Sequence, residues 1–110
     1  MTEIYGAETA LTVATDRLVA TIDGLSDEDV RGPSLLPGWT RGHVLAHIAR
    51  NADAMRNLVT SARTGADIPM YPSRERRDAD IERDAPRPSA EHRRDLAESA
   101  RALGDDVRAL

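Results

Sequence analysis

Apolar residues recur every three or four positions in three stretches of the chain, a spacing that predicts three long amphipathic helices. The first is expected from Ala7 to Asp23, the second from Arg41 to Arg63, and the third from Ser89 to the C-terminus. Their expected apolar stripes are Leu11, Ala14, Leu18 and Ile22; Val44, Ile48, Ala52, Met55, Val59 and Ala62; and Leu96, Ala100, Leu103, Val107 and Leu110. No stretch alternates like a strand, so the pattern predicts an all-α fold.

Hydroxyl residues mark the expected helix starts. Thr40 is a suitable N-cap for the second long helix and Ser89 for the third. Ser26 is followed by three acidic residues, which predicts a short helix ending near Arg31. Trp39, in the Pro- and Gly-rich connector before Thr40, is expected to plug one end of the core.

A second short helix is expected after the linker at residues 66–72. Ser73 is its expected N-cap, and it should run to about Asp84 with Ile81 as its strong apolar anchor. One anchor predicts a weakly docked, solvated helix. Its acidic residues are accordingly interpreted as a solvated face, namely Asp78, Asp80, Glu82 and Asp84.

Three one-sided helices can close a small bundle, but a fourth long helix would close it better. The last apolar stripe continues to Leu110 without a cap or a polar tail. We therefore expect residues 1–110 to be a single domain that is truncated relative to its parent fold, or whose open groove is filled by a partner.

The amino-acid composition excludes several classes of function. The 110 residues contain no cysteine, which excludes disulfides, Cys-ligated zinc, iron–sulfur clusters and thiol nucleophiles, and fits a cytoplasmic location. The formal charge of −4 disfavours nucleic acid as a partner, including binding by a helix-turn-helix. We expect no membrane partner either, because no apolar run approaches the roughly 20 residues of a membrane span and no signal peptide is recognisable.

Histidines are the candidate metal ligands. His43 and His47 lie one helical turn apart, a spacing that can hold a metal, but the general-base glutamate of zinc-protease helices is missing between them. His47 lies roughly 95° from the centre of its helix's apolar stripe, where a side chain can face a groove between helices. Two histidines are too few for a catalytic zinc, and an isolated helical pair is more often structural. His92, in the first turn of the last helix, is expected to be exposed.

One block of sequence is more specific than the helical pattern. The segment Leu35-Leu-Pro-Gly-Trp-Thr-Arg-Gly-His-Val-Leu-Ala-His47 resembles the N-terminal domain of mycothiol-dependent maleylpyruvate isomerases. So do Asn51-Ala-Asp-Ala-Met55, Thr64-Gly65 and Pro69-Met-Tyr-Pro-Ser73. This resemblance implies an up-down helical bundle of the DinB-like four-helix type. The absence of lysine among the 15 basic residues also suits an actinobacterium, the group that uses mycothiol.

The resemblance implies a divalent metal, typically zinc, held by three side chains. His47 corresponds to one ligand, and a Glu-x-x-x-His pair on the fourth long helix supplies the other two, while His43 corresponds to no ligand. The implied metal binds the sulfur of mycothiol as a thiolate, which then adds to an activated double bond or displaces a leaving group.

This chain departs from that pattern because it ends at Leu110, near the end of the third long helix, so the Glu-x-x-x-His pair is missing. The acidic and histidine residues of the last helix are not on the element that could replace it, namely Glu91, His92, Glu98 and Asp106. Two hypotheses follow. The chain is a metal-binding, thiol-activating domain completed by a missing segment or a second copy, or it is a non-catalytic helical module that self-associates or binds a partner helix through its open groove.

Overall fold

The computed structural model describes the backbone of residues 2–110 and the side chains of residues 6 and 9–110. Its regular elements in that part of the chain are five helices, with no β-strand. They are α1 (Thr2–Asp23), α2 (Asp27–Arg31), α3 (Arg41–Thr64), α4 (Arg74–Asp84) and α5 (Ser89–Arg108). The predicted all-α fold is confirmed.

Three helices start at the residues that the sequence indicated. Ser26, Thr40 and Ser73 are the N-caps of α2, α3 and α4. Each side-chain oxygen accepts a hydrogen bond from the backbone N–H three residues further along, at 3.0, 3.2 and 3.0 Å respectively. At the other end of α3, Gly65 adopts the left-handed conformation with φ of 77°, which glycine reaches without strain.

Helix α5 begins at Ser89 as expected, but the predicted N-cap is wrong, because Ser89 is the first residue of the helix. Pro88 occupies the N-cap position and makes no side-chain capping bond. The Ser89 backbone N–H donates to Asp27 Oδ1 at 2.8 Å, and its hydroxyl donates to the carbonyl oxygen of Ile22 at 3.2 Å. Ser89 therefore joins α5 to α1 and α2, a tertiary role that replaces the local capping bond.

Helix α5 packs against both α1 and α3, and α4 and α2 pack against α3. The hydrophobic core lies where α1, α2, α3 and α5 meet, and its cluster of buried residues consists of Ile22, Val30, Leu45, Ala49 and Leu96. The shortest dimension of the molecule is 21 Å, about two helix diameters. In so thin a bundle, each helix is covered by other helices on only part of its surface.

The structure corrects the expected apolar face of α3. Its buried residues are mostly small, namely Gly42, Leu45, Ala46, Ala49 and Ala54. In the expected stripe, Met55 and Ala62 are exposed and the other residues are half-buried. We call Gly42, Leu45, Ala46, Ala49 and Arg50 the closed face of α3. We call Val44, Met55 and Leu58 its open face, whereas Ile48, at the border of the two faces, packs against the core cluster.

Small residues explain this choice of face, because they let neighbouring backbones come close. A Cβ atom added to Gly42 would lie 2.0 Å from the carbonyl oxygen of Ala85, so α3 and the end of α4 touch backbone to backbone here. Apolar periodicity alone predicts that the face with the larger aliphatic residues is buried. It does not indicate where two helix backbones come close together.

The other long helices follow their expected stripes more closely. Ile22 of α1 and Leu96 and Leu103 of α5 are buried, whereas Ala14 and Leu110 of the expected stripes are exposed. Among the described residues, no helix has both the length and the apolar character needed to cross a bilayer.

Candidate functional site

The connector between α2 and α3 brings an indole ring over the start of α3. Gly38 adopts φ of 79°, and the carbonyl oxygen of Trp39 accepts hydrogen bonds from the Ser34 backbone N–H at 3.1 Å and hydroxyl at 2.8 Å. The Trp39 ring stacks on the ring of His43, with centroids 5.9 Å apart, and lies 5.7 Å from that of His47. Trp39 is half-buried against these two rings, which replaces the expected role as a plug of the core.

Both ring nitrogens of His43 are engaged in structural hydrogen bonds. Nδ1 accepts from the Thr40 backbone N–H at 3.1 Å and lies 2.7 Å from the Thr40 hydroxyl, which completes the capping box of α3. Since Nδ1 accepts, Nε2 carries the proton of the neutral ring, and it donates to Glu82 Oε1 at 3.1 Å. His43 thus joins the start of α3 to α4.

His47 is half-buried one turn further along α3 and faces α4. The guanidinium of Arg77 approaches it, with Nη2 3.3 Å from Nδ1. The pKa of His47 lies below its ordinary value of 6.5, first because burial disfavours the charged ring and then because Arg77 repels it. The imidazole is therefore neutral at pH 7.

Arg77 belongs to a cluster of aromatic and polar side chains between α3, α4 and the linker. Its Nη1 donates to Asp78 Oδ1 at 2.8 Å, and its guanidinium carbon lies 6.0 Å from the centroid of the Tyr71 ring. The Tyr71 hydroxyl lies 3.4 Å from Asn51 Oδ1 on α3. We call Trp39, His43, His47, Tyr71 and Arg77 the His47 cluster.

The linker before α4 is held onto α3 by polar side chains, which fixes Tyr71 in this cluster. The Asn57 amide nitrogen donates to the carbonyl oxygens of Pro69 and Met70, each at 3.1 Å. The Ser61 hydroxyl oxygen accepts from the Ile68 backbone N–H at 3.0 Å.

The expected exposure of His92 is wrong, because its relative accessibility is 2%. Its Nε2 lies 3.1 Å from the carbonyl oxygen of Ala85, to which it donates. The first turn of α5 packs against the end of α4, so this side chain is covered by tertiary contacts. His92 is a structural residue that joins the two helices.

The acidic face of α4 is also not uniformly solvated, because Asp84 is fully buried. It accepts a hydrogen bond from Arg50 Nη1 of α3 at 2.6 Å, and Arg83 and Arg87 pair with its other oxygen. Arg50 also binds Asp95 of α5. Burial alone would raise the pKa of Asp84, but hydrogen bonds from Arg83 and Arg50 and the nearby positive charges lower it below 3.8.

The family model for the mycothiol maleylpyruvate isomerase N-terminal domain matches residues 11–110. The chain belongs to this family. A solved structure described as mycothiol-dependent maleylpyruvate isomerase superposes with a TM-score of 0.88 at 30% sequence identity. A structure of a histidine-to-alanine mutant of such an isomerase gives a TM-score of 0.87, also at 30% identity.

Both structural matches cover 96% of this chain and 44% of the matched chain, so this chain spans less than half of the isomerases that it resembles. A search among curated proteins gave no significant match. The resemblance indicated by the Leu35–His47 block is confirmed at the level of the family.

The described residues do not by themselves fit the metal that this isomerase family implies. They contain no group of three or more His, Cys, Asp or Glu side chains that could hold a metal ion. His47 provides a single imidazole, and the charged group beside it is a cation. A catalytic zinc ordinarily has three protein ligands and an open position.

Sequence reasoning missed the side chains of α4 that face α3. Ile81, the single strong anchor of α4, is buried, with Arg77 four residues before it and Asp84 three residues after it. Residues at these spacings share one face of a helix. The anchor therefore signalled which polar residues of α4 would contact α3, although not which atoms they would bind.

Proposed function

We propose that this chain is the domain that binds and activates the thiol in a mycothiol-dependent isomerase or thiol transferase. In this proposal His47 is the ligand that the chain contributes to a divalent metal site, with zinc as the metal. When bound, such a metal lowers the pKa of a coordinated thiol and so supplies a nucleophilic thiolate at neutral pH. The observation that carries the proposal is the structural match over 96% of the chain to an isomerase described as mycothiol-dependent.

The position of His47 supports its selection over the other histidines. His43 uses both ring nitrogens in structural hydrogen bonds, and His92 is buried and bonded to a carbonyl oxygen. His47 is half-buried at the edge of the open face of α3, and no hydrogen bond to its Nε2 is formed within residues 9–110.

Further metal donors must come from outside the described residues. We propose that they belong to a segment not contained in residues 2–110 or to a second copy of the chain. The proposal includes a cytoplasmic location and an actinobacterial origin, as the composition suggested.

The proposal is tested by adding Co²⁺ to chain labelled with ¹⁵N-histidine and following the ring signals by NMR. Paramagnetic broadening is expected first at His47, and His47→Ala should abolish the specific broadening. His43→Gln is the matched control, because glutamine at the third helical position preserves the capping box. Broadening that begins at His43 or His92, or that survives in His47→Ala, would contradict the assignment.

Mycothiol use requires its own measurement. Adding mycothiol to the Co²⁺-loaded chain should produce a sulfur-to-cobalt charge-transfer band if the thiol joins the same metal. A chain that binds Co²⁺ through His47 but shows no such band at saturating mycothiol would contradict the thiol function and leave metal binding intact.

The open face of α3 favours a second candidate, an interaction module that self-associates or binds a partner helix. Met55 and Leu58 are 38% and 42% accessible, and Leu36 in the neighbouring connector is 52% accessible. Apolar surface of this kind favours association.

Light scattering over a concentration series tests self-association. A dimer that Met55→Glu dissociates would support it, since a charge placed in an apolar contact is costly to bury. A monomer at every concentration would contradict self-association, leaving the partner helix as the remaining form of this candidate.

A further inference from the structure

We propose that the cleft between α1 and α5 binds a small zwitterion with an apolar body, the chemical class of a free apolar α-amino acid. The cleft has a volume of about 340 Å³, and the described residues that line it all belong to these two helices. It shares no described residue with α3 or with the His47 cluster, so the proposal does not depend on metal binding.

A glycine of α5 forms the floor of the cleft. Gly104 is buried, yet a Cβ atom added to it would meet nothing within 4 Å. Buried residues ordinarily face close-packed neighbours, so the space in front of Gly104 is a gap in the packing of α1 against α5. Small-molecule sites have volumes of roughly 300–1,000 Å³, and this gap lies within that range.

Small and aliphatic side chains form the walls of the cleft, namely Leu11, Val19, Ala97 and Ala100. All four are half-buried, so each keeps apolar surface that a ligand could cover. Removing this surface from water favours a ligand with an apolar body. The two alanines of α5 leave the space that such a body needs.

Two groups of opposite charge line the same cleft, the carboxylate of Asp16 on α1 and the guanidinium of Arg101 on α5. Neither group makes an ion pair or a side-chain hydrogen bond within the part of the chain whose side chains are described. Arg108, the third charged residue of the lining, pairs with Asp105. A ligand with both an ammonium and a carboxylate group can pair with Asp16 and Arg101, whereas a ligand with only one of these groups places its charge near a like charge.

The test titrates the full, ¹⁵N-labelled chain with three compounds that share a phenyl ring and is followed by ¹H–¹⁵N NMR. L-phenylalanine carries both charges, hydrocinnamate lacks the ammonium group, and phenethylamine lacks the carboxylate. L-phenylalanine should shift the amide signals of Thr15 and Gly104, which both line the cleft. It should bind roughly fivefold more tightly than either analogue, the value of one exposed ion pair.

Charge variants assign each end of the ligand. Arg101→Gln should weaken the binding of L-phenylalanine and hydrocinnamate roughly fivefold and leave that of phenethylamine unchanged. Asp16→Asn should weaken the binding of L-phenylalanine and phenethylamine by a similar factor. Arg94→Gln is the matched control, because it removes an exposed arginine of the same helix that does not line the cleft, and it should change none of the three affinities.

Gly104→Met fills the cleft with a flexible apolar side chain that is compatible with a helix, and should abolish binding while circular dichroism shows a folded chain. Equal affinity for the three compounds would overturn the proposal, as would unchanged binding in Gly104→Met. The absence of any shift at the cleft in wild type would also overturn it. Because Asp16 and Arg101 are exposed, their variants test the proposal even if Gly104→Met does not fold.

Discussion

The two sides of α3 contrast sharply. The closed face has glycine, alanines, Leu45 and the half-buried Arg50, and it packs against α4 and α5. The open face has the larger aliphatic residues Val44, Met55 and Leu58, and it is half-buried or exposed. The more hydrophobic side of the helix is thus the less covered one.

The contrast shows that close backbone approach selects the closed face. Gly42 allows the backbone of Ala85 to come within contact distance, and Ala46 and Ala49 leave room for the neighbouring helices. The close approach also brings Arg50 within reach of Asp84 and Asp95, so the ion pairs follow from the small residues around them. The open face keeps apolar surface available for a partner.

Removing the arginine of the closed face should have the largest effect on stability. Arg50→Ala removes the hydrogen bonds to Asp84 and Asp95, although Arg83 and Arg87 still pair with Asp84. Because a hydrogen bond between charged groups contributes about 1.5–3 kcal/mol, losing two should lower the free energy of unfolding by about 3–5 kcal/mol. Urea unfolding followed by circular dichroism measures the change. Arg63→Ala, at the exposed end of the same helix, is the control and should change stability by less than about 0.5 kcal/mol. Comparable losses of stability in the two variants would show that the ion pairs of Arg50 do not contribute to the free energy of unfolding.

Truncating one large apolar residue on each face compares them directly. Leu45→Ala on the closed face should lower the free energy of unfolding by about 2–5 kcal/mol, since it leaves a cavity in the core. Met55→Ala on the open face should cost less than about 1 kcal/mol, because the side chain is 38% exposed in the folded chain. Equal costs in urea unfolding would mean that the open face is covered in solution, and light scattering would then show whether a second copy covers it.

The close approach at Gly42 can be tested with the smallest possible addition. Gly42→Ala should lower the free energy of unfolding by about 1–3 kcal/mol, because its Cβ would overlap the carbonyl oxygen of Ala85. Gly104→Ala is the matched control, since a Cβ there meets nothing within 4 Å, and alanine should stabilise α5 by about 0.5–1 kcal/mol. The opposite order of the two variants in thermal unfolding would contradict the packing described here.

Acid should weaken the closed face through Asp84. The folded-state pKa of this residue lies below 3.8, so the unfolded chain takes up its proton first as the pH falls. The stability from the ionised Asp84 is complete above the unfolded value and is lost as the pH falls through the folded pKa. Urea unfolding from about pH 6 to about pH 2 should show a steeper loss for wild type than for Asp84→Asn. Parallel curves would show that Asp84 does not contribute.

Local signals in the sequence were sufficient for several features. Ser26, Thr40 and Ser73 cap their helices as predicted, because a capping bond depends on residues three positions apart. Ser89 was predicted by the same rule and failed, because its backbone and hydroxyl bind Asp27 and Ile22, which are distant in the sequence.

The residues of the candidate site also divide into those that the sequence predicted and those that it did not. The sequence identified His47 as the candidate ligand and, by resemblance, set His43 aside. It could not indicate that Arg77 contacts His47, because that contact joins residues 30 positions apart on two helices. It also missed the burial of His92 and Asp84, whose partners lie on other elements.

The sequence by itself determined that the chain is helical, where most of the helices begin, and which family it resembles. These properties depend on helical periodicity, on caps a few residues long and on a compact motif. Only the tertiary structure decided which side of α3 is buried and which group lies beside each histidine. Those outcomes depend on how closely separate helices approach one another, and the spacing of apolar residues within one helix does not encode that distance.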